Sequence, residues 1–512
     1  MIRTDLMMNR RGLLQSSAWL ALGYPIRKLS AFESTPRFTS DPFSAGVASG
    51  DPTANGVVLW TRLMPDKNRT QDWQRESVAI DWLIASDETM DRVVRSGRIT
   101  AQPEYGHSVH IEVNGLEPDR WYWYRFKTGT TVSEVGRTKT APLGPTDRIR
   151  FAFASCQNFE QGYYTAYQNM VNEDLDCVIF LGDYIYETGG NTVRPVPAIE
   201  CTSLGQYRDR YALYRSDRFL REAHRLFPWI VTWDDHEVDN NYANNIAEDD
   251  QSPADFLKRR AAAYQAHYEW LPFPKTCIPH GPNSTLYRRL AYGSLANFLV
   301  LDSRQYRSDQ PCGDGTKAPC EEFIRGRRTM LGAVQERWLF RELQASHSEW
   351  NILANQVRMT VVDQMPGPGE LYAMDQWAGY DDARRRLLGG LLDSKVSNPI
   401  VITGDIHSNW VGDLKLDYRE LRSPIVATEL IGTSITSGGD GQDSDPAVEA
   451  YLSENPQIKL YNSQRGYVRC EVTRKSLTAD FRVVQKVTVP QSAISTRARF
   501  ITESGRPGAV RA

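Results

Sequence analysis

The chain has 512 residues, a formal charge of -3, and 41% apolar, 24% charged and 11% aromatic residues. That length allows a large core and, at roughly 100–200 residues per domain, more than one domain. Near-average Gly and Pro usage excludes collagen-like and low-complexity chains, and balanced charge without like-charge blocks gives no support to a nucleic-acid-binding protein.

Taken in chain order, Asn9-Arg10-Arg11-Gly12-Leu13-Leu14 precede a modest apolar run, 16–24. Adjacent arginines before a short apolar stretch look like a twin-arginine export signal. Arg27 and Lys28 beyond the run fit that reading, since basic residues there disfavour the other export route. Cleavage near Ala31 would make 1–31 a signal peptide, the twin-arginine export machinery a partner, and the mature protein periplasmic or secreted. A cytoplasmic amphipathic helix is the alternative. No other segment approaches the roughly 18 consecutive apolar residues of a membrane span.

From 38 to 145 the chain alternates in short runs, 57–60, 77–84 and 107–113, separated by turn signals such as Asn55-Gly56 and Asn114-Gly115. This pattern predicts an antiparallel sandwich. Leu116-Glu117-Pro118 followed by Tyr122 and Tyr124 resembles the tyrosine corner of an immunoglobulin or fibronectin type III domain, and Pro142-Leu143-Gly144-Pro145 reads as a linker.

From 146 to 490 the rhythm changes. Stretch 148–154 alternates, whereas 176–181, 229–233, 350–354, 400–403 and 425–430 are near-continuous apolar runs, with helical patterns at 253–270, 332–345 and 381–392. Apolar strands between helices predict a sheet buried on both faces, hence a layered α/β domain. The polar segment 491–512 is expected to carry a helix from Ile494, as a lid or a plain tail. Among seven cysteines, Cys177 and Cys470 lie in strand-like runs and read as buried thiols. Cys201, Cys277, Cys312 and Cys320 lie in loops and suit two disulfides after export, with Cys312–Cys320 the favoured pair. Cys156 is left over.

Five of the strands stop at polar groups: Ser155-Cys156-Gln157, Gly182-Asp183-Tyr184-Ile185-Tyr186-Glu187, Asp234-Asp235-His236-Glu237, Asn355-Gln356-Val357-Arg358, and Gly404-Asp405-Ile406-His407-Ser408-Asn409. Ligands of layered α/β sheets bind outside the carboxyl ends of the strands, so the five ends are expected to converge. Carboxylates, an amide oxygen, a phenol and an imidazole are mostly hard donors, suited to iron(III) or calcium rather than structural zinc. A carboxylate such as Asp183 can bridge two ions about 3.5–4 Å apart.

These motifs, in this order, resemble those of purple-acid-phosphatase-like metallophosphoesterases, and more closely the PhoD-like alkaline phosphatase and phosphodiesterase family. The Ser44-to-Pro52 opening and the twin-arginine start share the likeness, which covers nearly the whole chain except loops between Asn191 and Cys320. The resemblance implies a layered metallophosphoesterase β-sandwich flanked by helices, behind an immunoglobulin- or fibronectin-like all-β domain. It implies iron(III) on Cys156, Asp183, Tyr186 and His407, and calcium on Asp183, Asp235, Asn355 and Asp405, with Asp234 an open alternative to Asp235. Cys156, Asp235 and Asp405 depart from the Asp, Asn and His of the purple acid pattern, and the added carboxylate oxygen favours calcium at the second site.

The implied reaction is hydrolysis of a small-molecule phosphate ester by attack of a metal-bound hydroxide. His236 is the expected proton donor to the leaving alkoxide, and Arg358 the phosphate-binding group. His107, His110, His224, His267, His280 and His347 lack such neighbours and read as packing or surface residues. A monomer is expected. The alternatives are a phospholipase D-like diesterase with the same residues, and a cell-envelope binding protein with purely structural metals.

Overall fold

The computed structural model describes residues 38–65, 75–325, 327–420 and 422–512. The export-signal reading of 1–31 falls outside them. Two sheets face each other. One has ten strands, in the order Arg506–Arg511, Ile494–Glu503, Ser476–Val484, Gly466–Thr473, Arg148–Ala154, Cys177–Phe180, Pro228–Val231, Val47–Thr53, Gly56–Arg62 and Ser108–Asn114. The other has seven, in the order Arg288–Tyr292, Ala296–Val300, Trp350–Ala354, Pro399–Thr403, Ile425–Ile431, Asn409–Lys415 and Ile458–Asn462.

The central strands of both sheets run parallel, Cys177–Phe180 between Arg148–Ala154 and Pro228–Val231, and Pro399–Thr403 between Trp350–Ala354 and Ile425–Ile431. Parallel neighbours carry their polar continuations to the same edge. Strand Arg148–Ala154 shows why the runs are apolar throughout. Its Phe151 and Phe153 enter the core between the sheets with Phe298, Ile352 and Ile402, while Ala152 and Ala154 face the helix-lined core beyond. Each large apolar side chain so buried contributes about 1.5–3 kcal/mol. Helices Leu204–Arg215, Arg218–Leu226 and Pro253–Trp270 cover the first sheet, and Gly332–Gln344 and Asp381–Asp393 the second.

The N-terminal sandwich forms, but half of it is shared. Strands Val78–Ala85, Val93–Ala101, Trp121–Thr128 and their partners make a separate sheet, yet Val47–Thr53, Gly56–Arg62 and Ser108–Asn114 extend the ten-stranded sheet, through Ser49 and Gly50 paired with Pro228 and Trp229. The 142–145 stretch therefore does not divide two compact units. The tyrosine corner is Tyr122, whose hydroxyl accepts the Glu117 N–H at 2.8 Å.

The C-terminal segment corrects the sequence reading: no helix starts at Ile494. Ile494–Glu503 and Arg506–Arg511 are edge strands of the large sheet, with Ala498, Phe500 and Thr502 buried on alternate positions. That period-two burial specifies a strand, so the segment belongs to the scaffold rather than to a lid. Cys312 and Cys320 form the expected disulfide. Cys201 and Cys277 are free, buried thiols, which removes the second expected bridge.

Candidate metal centre

The strand ends converge. The Cys156 and Gln157 N–H groups donate to the carbonyls of Gly182 and Asp183, each at 3.0 Å, stitching the first two ends together. Glycine is required twice for close approach. A Cβ on Gly182 would stand 2.4 Å from the Asp234 Cβ, and one on Gly404 2.4 Å from the Ser155 Oγ. Cys156, Asp183, Asp405 and His407 all hold positive φ, between 53° and 66°. Such backbone costs on the order of 1 kcal/mol each and persists where surrounding structure enforces it.

Three sets of donor atoms lie within 4.8 Å of one another: Cys156, Asp183 and His407; Asp183, Asp235 and His236; and Asp234, Asp235 and Asp405. Asp183 links the first two sets, and Asp235 the last two. Tyr186 joins the first set, its hydroxyl donating to Asp183 Oδ2 at 3.0 Å and lying 3.1 Å from His407 Nε2. The Ser437 hydroxyl lies 2.7 Å from that of Tyr186 and donates to the Cys156 carbonyl at 2.8 Å. Arg465 holds the His407 carbonyl.

The second region is dense in carboxylates around one buried guanidinium. Arg304 reaches Asp234 through Nε, Asp375 through Nη1 at 2.9 Å, and Asp405 and Asp235 through Nη2 at 3.3 and 3.7 Å. Gln376 donates to Asp405 Oδ2 at 2.6 Å, and the Asn241 N–H to Asp235 Oδ2 at 2.7 Å. Glu237 accepts the N–H groups of Asp183, Tyr184 and Asp234 at 3.1, 2.6 and 2.8 Å, fixing two strand ends on one carboxylate.

Of the nine residues expected from sequence, seven meet directly: Cys156, Asp183, Tyr186, Asp235, His236, Asp405 and His407. Asn355 stands at the end of its strand, where its Oδ1 accepts from Trp377 Nε1 at 3.2 Å and its Nδ2 donates to the Val357 carbonyl. Arg358 is tied in through its backbone, its N–H donating to Gln376. Its guanidinium lies over the Trp410 ring, and its buried Nε has no partner among the described residues. His236 Nδ1 lies 2.8 Å from Glu187 Oε2, and its ring packs 4.1 Å from that of Tyr186.

Sequence reasoning missed Arg304, Asp375, Gln376, Ser437 and Arg465, and gave Glu187 no role. Only Arg304 left a signal, at the end of an apolar run: it follows strand Ala296–Val300 by a few residues, a sixth polar strand end. The rest sit in irregular segments distant in sequence from what they hold.

The electrostatics fit cations. Asp183 Oδ1, Asp234 Oδ2 and Asp235 Oδ1 are buried without a hydrogen-bond donor among the described residues. A buried carboxylate oxygen left so is costly unless a cation satisfies it. Burial, then the Asp183 charge, holds the Cys156 thiol and the Tyr186 phenol well above their usual ranges, and burial pushes His407 down to about 3. A thiol and phenol so placed become ligands only to a strongly polarising ion. Burial pushes Asp405 up to about 6, whereas Arg304 and His236 overcome burial and hold Asp235 low. Against burial, Glu187, Asp235 and Asp183 raise His236 well above its usual value.

The chain is similar to known proteins. Residues 151–481 match the model of the PhoD-like phosphatase family, and 29–142 that of the N-terminal domain of PhoD-like phosphatases. Alkaline phosphatase D of Bacillus subtilis (strain 168) is 47% identical over 515 residues, spanning 98% of this chain and 88% of that protein. A solved structure of PhoD superposes with a TM-score of 0.90 at 47% identity, covering 93% of each chain. GAP50, the anchor in the inner membrane complex of Plasmodium, superposes over 69% of this chain and 89% of that one, with a TM-score of only 0.35 at 11% identity, too distant to bear on function.

Proposed function

The chain belongs to the PhoD-like phosphatase family, and from that premise we propose that this phosphoester hydrolase works with two ions, iron(III) and calcium. The observation that carries the reading is the run of three donor sets joined through Asp183 and Asp235, with buried oxygens that no donor satisfies.

Iron(III) would be held by Cys156, Asp183, Tyr186 and His407, and calcium by Asp183, Asp235, Asp405 and the Asn355 amide. Asp235 is the better ligand of the adjacent pair, because it meets Asp183 in one donor set and Asp405 in another, whereas Asp234, which also keeps an unpartnered oxygen, joins only the second set and is bound by the Arg304 Nε. When bound, such ions supply a nucleophilic water at neutral pH and neutralise the charge of the phosphoryl group.

The protein's own groups do the rest. Arg358, whose buried Nε has no partner among the described residues, would bind a phosphoryl oxygen, and burial beside Trp410 strengthens that attraction. Glu187 accepts from His236 Nδ1, which leaves Nε2 to carry the proton given to the leaving alkoxide. Glu237 keeps the second and third strand ends in register. A purely structural metal site needs fewer donors and closes its shell, so the unspent His236 and Arg358 favour catalysis. Among the described residues no helix is long and apolar enough to cross a membrane. Export through the twin-arginine route, to the periplasm or medium, remains part of the proposal, resting on Arg10-Arg11 and the run after them.

The test is hydrolysis of a chromogenic phosphate monoester and its diester side by side, with calcium and then with chelator. Chelator-sensitive turnover is expected. Turnover that survives complete removal of both ions would overturn the two-ion reading.

A further inference from the structure

Residues 307–320 supply no ligand to either proposed ion, yet they hold both segments that supply the second. Asn241 is one point of contact. Its N–H donates to Asp235, while its carbonyl accepts from Gln310 Nε2 at 2.6 Å and Arg307 Nη2 at 3.4 Å. Its Nδ2 donates to Asp314 Oδ2 at 2.7 Å. Asn241 sits at a φ of +49°, a conformation that is uncommon away from glycine and that aims its N–H at Asp235. Three of its polar groups are thus fixed by partners, two of them bound by the 307–320 segment.

The other point of contact is the segment before Gln376. The Met374 N–H donates to the Gly315 carbonyl at 2.9 Å, Gln310 Nε2 lies 2.9 Å from Asp375 Oδ1, and Thr316–Lys317 pair antiparallel with Tyr372–Ala373. Gln376, next in the chain, donates to Asp405. The loop itself bends through Cys312 and Asp314, both at positive φ, and the Cys312–Cys320 disulfide closes it. The supports of Tyr186 and His407 come from elsewhere, from Ser437 and Arg465.

We propose that the disulfide-closed loop 310–320 is a clamp that positions Asp235 and Asp405 for the second ion, acting through Asn241 on one side and Gln376 on the other. It rests on the two-ion reading above. Its residues are positioning residues, since they act only through Asn241 and the segment before Gln376. Removing partners that orient metal ligands typically weakens metal binding about 10- to 100-fold.

The test uses the iron-loaded full-length enzyme, a Cys312→Ser/Cys320→Ser variant, and Asp314→Ala, which keeps the disulfide. Calcium chloride is titrated by equilibrium dialysis, and the visible absorption of the iron site is recorded in parallel. The expected result is a calcium Kd raised about tenfold or more in both variants, an unchanged visible band, and near-normal kcat at saturating calcium. If the double variant fails to fold, Asp314→Ala alone decides. A calcium Kd within about twofold of wild type overturns the clamp, as does a parallel loss of the visible band, which would mean general loosening. Wild-type enzyme that takes up no calcium overturns the two-ion reading instead, so the two failures are distinguishable.

Discussion

The two halves of the centre deal with charge in opposite ways. The half around Cys156, Tyr186 and His407 is held neutral, with thiol and phenol protonated by burial, imidazole uncharged, and Asp183 its one carboxylate. The half around Asp234, Asp235 and Asp405 gathers carboxylates around Arg304, whose charge offsets their repulsion and helps hold Asp235 low, while burial pushes Asp234 and Asp405 up. A first ion must expel protons to bind. A second must share carboxylates with a guanidinium already in place. On the two-ion reading proposed above, one fold would thus build two sites of different selectivity, joined by Asp183.

The largest effect is expected where the halves meet. Asp183→Asn removes the shared carboxylate and should lower kcat/KM by about 10³ or more, with loss of both ions on metal analysis. Asp405→Asn should empty only the second half and keep the visible band. If Asp183→Asn keeps both ions at full occupancy, Asp183 does not bridge. His236→Ala comes next. It should lower turnover of a poor-leaving-group alkyl ester about 10²- to 10⁴-fold with both ions retained, and Glu187→Gln should do so more mildly. An aryl ester, whose leaving group needs little protonation, should be nearly indifferent to both changes. Equal losses on the two substrates would argue against His236 as the acid.

The legible part of this centre is the part written at the ends of apolar runs. Asp183, Asp235, Asp405 and His407 stand out because a carboxylate or imidazole directly after a buried strand must be doing something other than packing. The same logic reaches Arg304, past the Ala296–Val300 run. It cannot reach Ser437, Gln376 or Arg465, because loop residues carry no periodicity and their partners lie up to 281 positions away, as Ser437 does from Cys156. Non-local pairing also hid the fusion of the N-terminal sandwich with the catalytic sheet, made by Ser49 and Gly50 against Pro228 and Trp229. The C-terminal strands are a different case. From Ile494 to Phe500, Ile494, Thr496, Ala498 and Phe500 alternate with Ser495, Arg497 and Arg499, and low hydrophobicity masked a period that was present.

Chelation should separate the halves next. A calcium-selective chelator is expected to remove activity while the visible band persists, since thiolate and phenolate bind iron(III) far more tightly than carboxylates bind calcium. Simultaneous loss of colour and activity at low chelator would show that the halves are not independent.

The mildest expected difference is in pH dependence, and its sign follows from the protonation states. The Cys156 thiol and Tyr186 phenol lie well above their usual ranges, so both are protonated at neutral pH, and uptake of the first ion releases their protons. Its affinity should therefore climb with every unit of pH across the neutral range. In the second half Asp405 is pushed up to about 6 and Asp235 is held low, so both are ionised above pH 7, while the shared Asp183, pushed well above its usual range by burial and the Asp235 charge, has already given up its proton on uptake of the first ion. Affinity for the second ion should be flat there and fall only as pH drops through about 6, where protonation of Asp405 competes with the ion. Competition with chelators of known affinity, run from pH 5 to 9, would measure both slopes. Two parallel slopes above pH 7 would mean that the halves share one protonation state, and the contrast between a protonated half and an ionised half would fail.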